Sequence, residues 1–444
     1  MILLIGAFGL AGVLLPMLAR VLGRRIFLLG GLVPLAAFAH ALANLPGVLA
    51  GRPVVETLPW IPQLDLAITL QLDGLSLLLA LIVSGVGSLV MVYCAGYFPH
   101  GSRGIGRFAG VMSAFAGAMY GLVLADDVYL LFVFWEATSV FSYLLIAHQR
   151  DRRASRNSAM QALLVTTLGG LVMLVGLVML AGEAGTSSLA GILAAAPQSP
   201  AVTAAIALVV VGILTKSAIF PFHFWLPGAM AAPTPVSAYL HAAAMVKAGV
   251  YLAARLAPGF ADTPGWREAL VLLGIGTMVL GGVQALRQTD LKLLLAHGTV
   301  SQLGLLVAVA AWGTAASALA ASALLLAHAL FKSALFLVVG IVDQKAGTRD
   351  LRKLSGIGRR MPVTGLAAVV AVVSMAGLPP ALGFVAKESV LTALLDEAFA
   401  GSVLAWVAVV GVTAASAFTV AYGYRFLWGA FAGKAGGEQE GLRR

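Results

Sequence analysis

Long apolar runs recur from one end of the chain to the other, with short polar stretches between them. A run of about eighteen apolar residues is long enough for a helix to cross a bilayer. The alternating ten-residue segments of a membrane barrel do not occur. This pattern predicts an all-α polytopic membrane protein with about thirteen spans. They lie near 2–19, 26–46, 70–98, 108–124, 128–147, 159–181, 200–220, 237–257, 267–286, 291–311, 317–341, 363–395 and 402–430. The first run, MILLIGAFGLAGVLLPMLAR, has no basic stretch ahead of it and no clear small-residue cleavage site, so it reads as a retained span.

Loop charge orients the spans. RVLGRR (20–25), HGSRGIGR (100–107), HQRDRRASR (148–156), RQTDLK (287–292) and KAGTRDLRKLSGIGRR (345–360) are basic. The stretch 47–69, Asp126–Asp127, the Glu183 loop and the Asp396–Glu397 loop are neutral or acidic. Placing the basic loops in the cytoplasm puts the N-terminus outside, and the alternation fits thirteen spans. No loop is long enough for a soluble domain, and GKAGGEQEGLRR (433–444) reads as a polar tail. Four parts follow: 1–107 with spans one to three, 108–257 with four to eight, 258–430 with nine to thirteen, and 431–444 as the tail.

Composition agrees. Residues are 60% hydrophobic and 10% charged, whereas a soluble domain carries about 25% charged residues. The net charge of +10 sits in the loops, where it is a topology signal and not a nucleic-acid surface. A membrane location follows, with lipid as the surroundings. The single cysteine, Cys94, can form no intrachain disulfide. Walker motifs, dinucleotide fingerprints and Cys/His clusters are missing, so no cofactor is expected and a metal ligand set is left open. If the chain moves ions, the energy comes from a gradient or from a partner.

Spans four to eight and nine to thirteen read as two units of five. An odd number of spans per unit gives consecutive copies opposite orientation. The fourth span of each unit joins prolines to a lysine, TKSAIFPFHFWLP in the first and AGLPPALGFVAKES in the second, although their order differs. Matched, proline-interrupted spans in inverted halves point to broken helices along an ion pathway.

The candidate chemistry is a set of titratable residues inside apolar spans. An ionised side chain at mid-span costs roughly 2.5–3.5 kcal/mol, so each one calls for an explanation. They are Glu136, Lys216, His223, His241, Lys247, His297, His328, Lys332, Lys387 and Glu388. His328 and Lys332 are four apart and share a helix face, as do Glu136, Ser139 and Tyr143. A ladder of carboxylate, lysine and histidine is the chemistry of a proton relay. Structural readings stand beside it. Lys216 can be a snorkelling anchor, the histidines satisfied core residues, and Lys387 with Glu388 a structural pair. Glu136 and Lys332 can serve only to hold helices together. Lys292 reads as an anchor after a basic loop, and Asp73 as a helix N-cap.

LTKSAIFPFHFWLPGAMAAPTPVSAYLHAAAMVKAGVYLAARL (214–256) resembles the signature of the antiporter-like subunits shared by respiratory complex I and Mrp-type Na⁺/H⁺ antiporters. DLKLLLAHGTVSQLGLL (290–306), AHALFKSALFLVVG (327–340) and SMAGLPPALGFVAKESVL (374–391) are similar to further signatures of that family, and 134–171 is most similar to the A subunit of the Mrp antiporters. The resemblance implies inverted five-helix repeats with breaks in spans seven and twelve. It implies that Glu136 pairs with Lys216, that Lys247, His328 and Lys332 are central relay residues, and that Lys387 serves the second half-channel. His223 and His241 join the expected relay. Complex I relatives often lack a lysine where Lys247 stands and often carry tyrosine where His297 stands, which favours the Mrp side. Such a subunit works with other integral membrane subunits and moves H⁺ against Na⁺. A redox-driven pump subunit of complex I or a membrane hydrogenase, and a non-transporting scaffold, are the rival expectations. The Mrp A subunit is normally longer, with more C-terminal helices.

Overall fold

A computed structural model describes residues 1–61, 66–149 and 151–433. The chain opens with α1 (Ile2–Leu22), α2 (Ile26–Gly30) and α3 (Leu32–Leu49). A hairpin of β1 (Val54–Ile61) and β2 (Leu66–Leu72) follows, then α4 (Gly74–Tyr97), α5 (Ile105–Leu124), α6 (Val128–Ile146) and α7 (Arg153–Ala184). Next come α8 (Leu189–Ala195), α9 (Pro200–Lys216), α10 (Trp225–Gly228), α11 (Thr234–Val236) and α12 (Lys247–Phe260). The rest is α13 (Trp266–Arg287), α14 (Leu291–Ala310), α15 (Ala315–Ala346), α16 (Ile357–Arg360), α17 (Pro362–Ala376), α18 (Leu382–Phe399) and α19 (Val403–Phe431). Among the described residues nine helical stretches are long and apolar enough to cross a membrane, the first counted continuously over Ile2–Leu49. Pro200–Lys216 and Pro362–Ala376 are shorter apolar helices. This is a mostly helical, polytopic membrane fold. Most of the expected polar tail, 434–444, lies outside the described residues.

The structure corrects the all-α expectation at one place. Strands β1 and β2 pair antiparallel, with Val55 opposite Gln71 and Thr57 opposite Thr69. Their alternating, β-branched residues suit a half-covered ribbon. Span three therefore starts later than residue 70. The Asp73 side chain accepts from Ser76 N, and Ser76 Oγ accepts from Asp73 N, a capping box that starts α4 at Gly74.

Three other expected elements differ. The seventh span stops as a helix at Lys216, and a 3₁₀ turn over Phe222–Phe224 follows. The eighth does not run as one helix over 237–257. It has a π turn at Ser237–His241, then irregular backbone until α12 begins at Lys247. Pro221, Pro227, Pro233 and Pro235 cannot donate a backbone hydrogen bond, so the helical ladder cannot close across this region. Asp396 and Glu397 lie in the last turns of α18 and not in a loop.

The chain divides into two compact units. The first joins Met1–Lys216 to Lys247–Trp266, and the second joins Ser217–Val246 to the chain from Arg267 onward. In the first, α7 packs along α9, α5 is held between α1 and α6, and α12 also rests on α9. In the second, α15 packs on α14, α17 and α18, while α19 packs on α17 and α18.

Candidate functional site

The first unit carries Glu136, Lys216 and Lys247. Lys216 is the last residue of α9, fully buried. Its ammonium donates to Trp135 O at 2.9 Å and to Ser139 Oγ at 2.8 Å, and lies 5.0 Å from the centre of the Trp135 ring. Glu136, on α6 between those two acceptors, is held differently. Its Oε2 accepts from Thr167 Oγ1 at 2.8 Å, and its buried Oε1 has no hydrogen-bond partner among the described residues. The expected Glu136–Lys216 ion pair is thus not a direct contact; the two groups interact electrostatically at longer range. Two glycines of α7 make this packing possible. A Cβ on Gly170 would fall 2.2 Å from Glu136 Oε1, and one on Gly169 would fall 2.6 Å from Thr215 Cβ. Lys247 begins α12 and is fully buried.

The second unit carries His223, His241, His297, His328, Lys332 and Lys387. Lys332, fully buried on α15, donates to Leu295 O at 3.2 Å and faces the Tyr422 ring at 5.6 Å. His328, one turn earlier, packs edge-on to Phe331. Lys387 donates to Ala376 O at 3.0 Å, at the end of α17, where Gly377 adopts the left-handed conformation (φ 79°) that stops the helix. Its ammonium therefore meets the negative end of a helix dipole. His241 is fully buried near the Trp225 ring, and neither ring nitrogen has a hydrogen-bond partner among the described residues. His223 is half-buried against Phe220, within electrostatic reach of His297.

Sequence reasoning missed Lys292. It is not an exposed anchor. Its ammonium donates to Met230 O at 2.9 Å and to Ala232 O, and it is 1% exposed. The irregular segment around α10 lies against the start of α14 and excludes water there. Nothing in the local sequence DLKLLL signals this. The reading of Lys387 with Glu388 as a pair also fails, because Lys387 turns to Ala376 O while Glu388 is exposed.

A common principle links the lysines. Lys216, Lys292, Lys332 and Lys387 are held by backbone carbonyls, with one hydroxyl at Lys216. Neutral dipoles can solvate an ammonium without burying an anion beside it.

Asp73 does work outside the spans. Arg255 grips its carboxylate with both terminal nitrogens. Burial acts to raise the Asp73 carboxyl, but the Arg255 guanidinium and the Ser76 bonds outweigh it and hold it below the usual carboxylate range. A cavity of about 200 Å³ beside this pair is lined also by Gln71, Asp126 and Leu193. Among the described residues no group of three His, Cys, Asp or Glu side chains could hold a metal ion.

Residues 125–416 match the family model described as NADH:quinone oxidoreductase/Mrp antiporter, TM, and residues 60–109 match NADH-Ubiquinone oxidoreductase (complex I), chain 5 N-terminus. The chain belongs to the NADH:quinone oxidoreductase/Mrp antiporter family. It is 41% identical to the A1 subunit of the Na(+)/H(+) antiporter of Staphylococcus aureus over 428 residues, covering 92% of this chain and 53% of that protein. Its fold is similar to a chain of the Mrp complex from a Dietzia species, with a TM-score of 0.89 and 40% identity, covering 98% of this chain and 48% of that one. It is also similar to a chain of the membrane-bound sulfane sulfur reductase, an archaeal respiratory membrane complex, with a TM-score of 0.87 and 26% identity, covering 99% and 89%. The chain spans about half the length of the Mrp-type relatives it matches.

Proposed function

We propose that this chain is a proton-translocating core subunit of a multi-subunit Na⁺/H⁺ antiporter in the bacterial plasma membrane. It is a part of a secondary transporter and not an enzyme. Protons pass along Glu136, Lys216 and Lys247 in one unit and His223, His241, His328, Lys332 and Lys387 in the other, and their entry drives Na⁺ out. The observation that carries the reading is the buried Lys216 ammonium held by Trp135 O and Ser139 Oγ, beside a carboxylate with one unpartnered oxygen. Such a lysine can give up a proton at modest structural cost. The membrane potential supplies about 2.3 kcal/mol per charge per 100 mV, so an exchange carrying more H⁺ than Na⁺ can use it.

In this reading 1–107 is an N-terminal group of helices, and 108–257 and 258–430 are two inverted five-helix repeats within thirteen spans. The ends of α9 at Lys216 and of α17 at Gly377, each with a lysine ammonium close by, support it. Other integral membrane subunits are the partners, since the similar Dietzia chain is part of a complex.

A second reading, a redox-driven pump subunit, draws on the similarity to the sulfane sulfur reductase chain, which matches this chain in length. The higher identity to the A1 antiporter subunit favours antiport. The test is to purify the assembly gently from its native membrane, reconstitute it, and follow Na⁺-dependent collapse of ΔpH. Small cofactor-free subunits and Na⁺-dependent flux abolished by Lys216→Ala are expected. Flavin or iron in the assembly, with no Na⁺ dependence, overturns the reading.

A further inference from the structure

Lys247 is buried at the start of α12, and the same face of that helix runs on to Tyr251 and Arg255, four and eight positions later. Eight residues span about 12 Å of helix. Tyr251 is 1% exposed, and Arg255 Cζ lies 5.3 Å from the centre of its ring. Arg255 Nη2 donates to Asp73 Oδ1 at 3.0 Å and its Nη1 donates to Asp73 Oδ2, while its Nε is buried with no hydrogen-bond partner among the described residues. Arg255 also lines the cavity of about 200 Å³, together with Asp73, Asp126 and Leu193. One side chain thus belongs both to the cavity wall and to the contact with Tyr251.

The cavity lies at one face of the membrane. Asp73 immediately precedes α4, and Asp126 stands in the turn between α5 and α6, three helices long and apolar enough to cross. The basic loops 100–107 and 148–156 are at the opposite ends of these helices, which assigns the cavity to the outer side. Both of its carboxylates are engaged: Asp73 holds Arg255 and caps α4, and Asp126 accepts from Ser188 Oγ at 2.7 Å and from Ala190 N at 3.0 Å. The polar walls and the size suit several waters. Along α12, one guanidinium and one tyrosine separate such water from Lys247.

A continuous water path from this side to a proton-carrying Lys247 would let protons cross without Na⁺. A guanidinium stays protonated in proteins and cannot relay. A fixed positive charge in a narrow passage also repels protons and other cations. We propose that Arg255, clamped by Asp73, is the seal that keeps outer protons from Lys247 in the first unit. The proposal rests on the reading of Lys247 as a relay residue, and adds to it the group that closes the relay on this side.

The test uses the whole assembly, reconstituted in Na⁺-free vesicles with an imposed ΔpH. The parent is expected to hold the gradient, and Arg255→Gln to dissipate it about tenfold faster or more. Arg255→Gln leaves Asp73 without its partner. The paired change Arg255→Gln with Asp73→Asn keeps the α4 cap, and should leak alike. Adding Lys247→Met to either closes the leak, whereas damaged packing alone would leak with or without Lys247. In native membranes with Arg255 intact, Leu193→Cys should react with an impermeant thiol reagent added outside, and the buried Ala248→Cys should not. The natural Cys94 is buried and gives little background. Tight Arg255→Gln vesicles overturn the proposal, as does a leak that Lys247→Met does not close. So does labelling at Ala248→Cys, or none at Leu193→Cys, and this outcome decides even where the Arg255 variants fail to assemble. Na⁺-dependent ΔpH collapse by the parent is scored separately: its absence counts against antiport and leaves the result for the seal standing.

Discussion

Replacing Gly169 with alanine tests whether the contact between α7 and α9 holds Lys216 in place. The added Cβ would lie 1.9 Å from Thr215 Oγ1, 2.6 Å from its Cβ and 2.7 Å from its Cγ2. Rotating Thr215 moves the oxygen and the methyl but not its Cβ. The helices must therefore separate by about 1 Å to restore ordinary carbon–carbon contact. Overpacking of this kind costs about 1–3 kcal/mol, and the gain in helix propensity offsets about 1 kcal/mol of it. With three atoms in collision the upper end applies, and a net loss of about 2 kcal/mol is expected. Thr215 is followed by Lys216, so a similar displacement takes the ammonium beyond bonding range of Trp135 O and Ser139 Oγ, now at 2.9 and 2.8 Å. Gly182 on the same helix is the control, since a Cβ there meets nothing within 4 Å. Thermal unfolding of the purified protein and Na⁺-dependent ΔpH collapse in vesicles are measured for both variants. Gly169→Ala lowers both, and Gly182→Ala lowers neither. A Gly169→Ala protein as stable and as active as the Gly182→Ala protein would refute the reasoning.

Lys216→Arg keeps a positive charge and donors for Trp135 O and Ser139 Oγ but cannot release a proton. The assembly should form while flux drops by about a hundredfold or more; flux within threefold of the parent would leave Lys216 a structural role only. Gly298→Ala places a Cβ 2.8 Å from Lys332 Nζ, the movable tip of a long side chain, and 3.1 and 3.2 Å from the buried Tyr422 ring, whose small shift the gain in helix propensity offsets. Stability should change by less than about 1 kcal/mol while flux falls, and unchanged flux counts against Lys332 in the relay. Asp73→Asn keeps the helix cap but loses the charge pair with Arg255, whereas Asp73→Ala loses both. Denaturant unfolding should rank Asn above Ala by about 1 kcal/mol. Because the folded-state Asp73 carboxyl is depressed, its contribution is full above its ordinary value of 3.8 and disappears as the pH falls through the lower folded value. A parent protein whose acid unfolding matches that of Asp73→Asn would show the pair contributes nothing.

The local sequence carried the mostly helical, polytopic character and the titratable residues within apolar runs, because insertion into a bilayer depends on hydrophobicity summed over neighbouring positions. The Asp73 cap was legible for the same reason, since its partner Ser76 is three residues away. The interrupted eighth span was less legible, although its prolines marked the region. The hairpin before α4 was missed because most of it falls in the stretch 47–69, whose prolines and polar residues read as a loop, and only 70–72 merge with the apolar run that follows.

What the tertiary structure alone decided is where each buried charge finds its partner. Lys216 bonds to residues 81 and 77 positions away, Lys292 to carbonyls 62 and 60 away, and Lys332 to one 37 away. The residue types near Lys292 gave it the look of an anchor until the segment at 225–232 covered it. Lys387 and Glu388 are adjacent in sequence, yet one turns into the protein and the other is exposed. Burial cost is set by a residue's own chemistry and can be read from the chain. Its relief requires a donor or acceptor brought from elsewhere, and only the packing of distant segments supplies that.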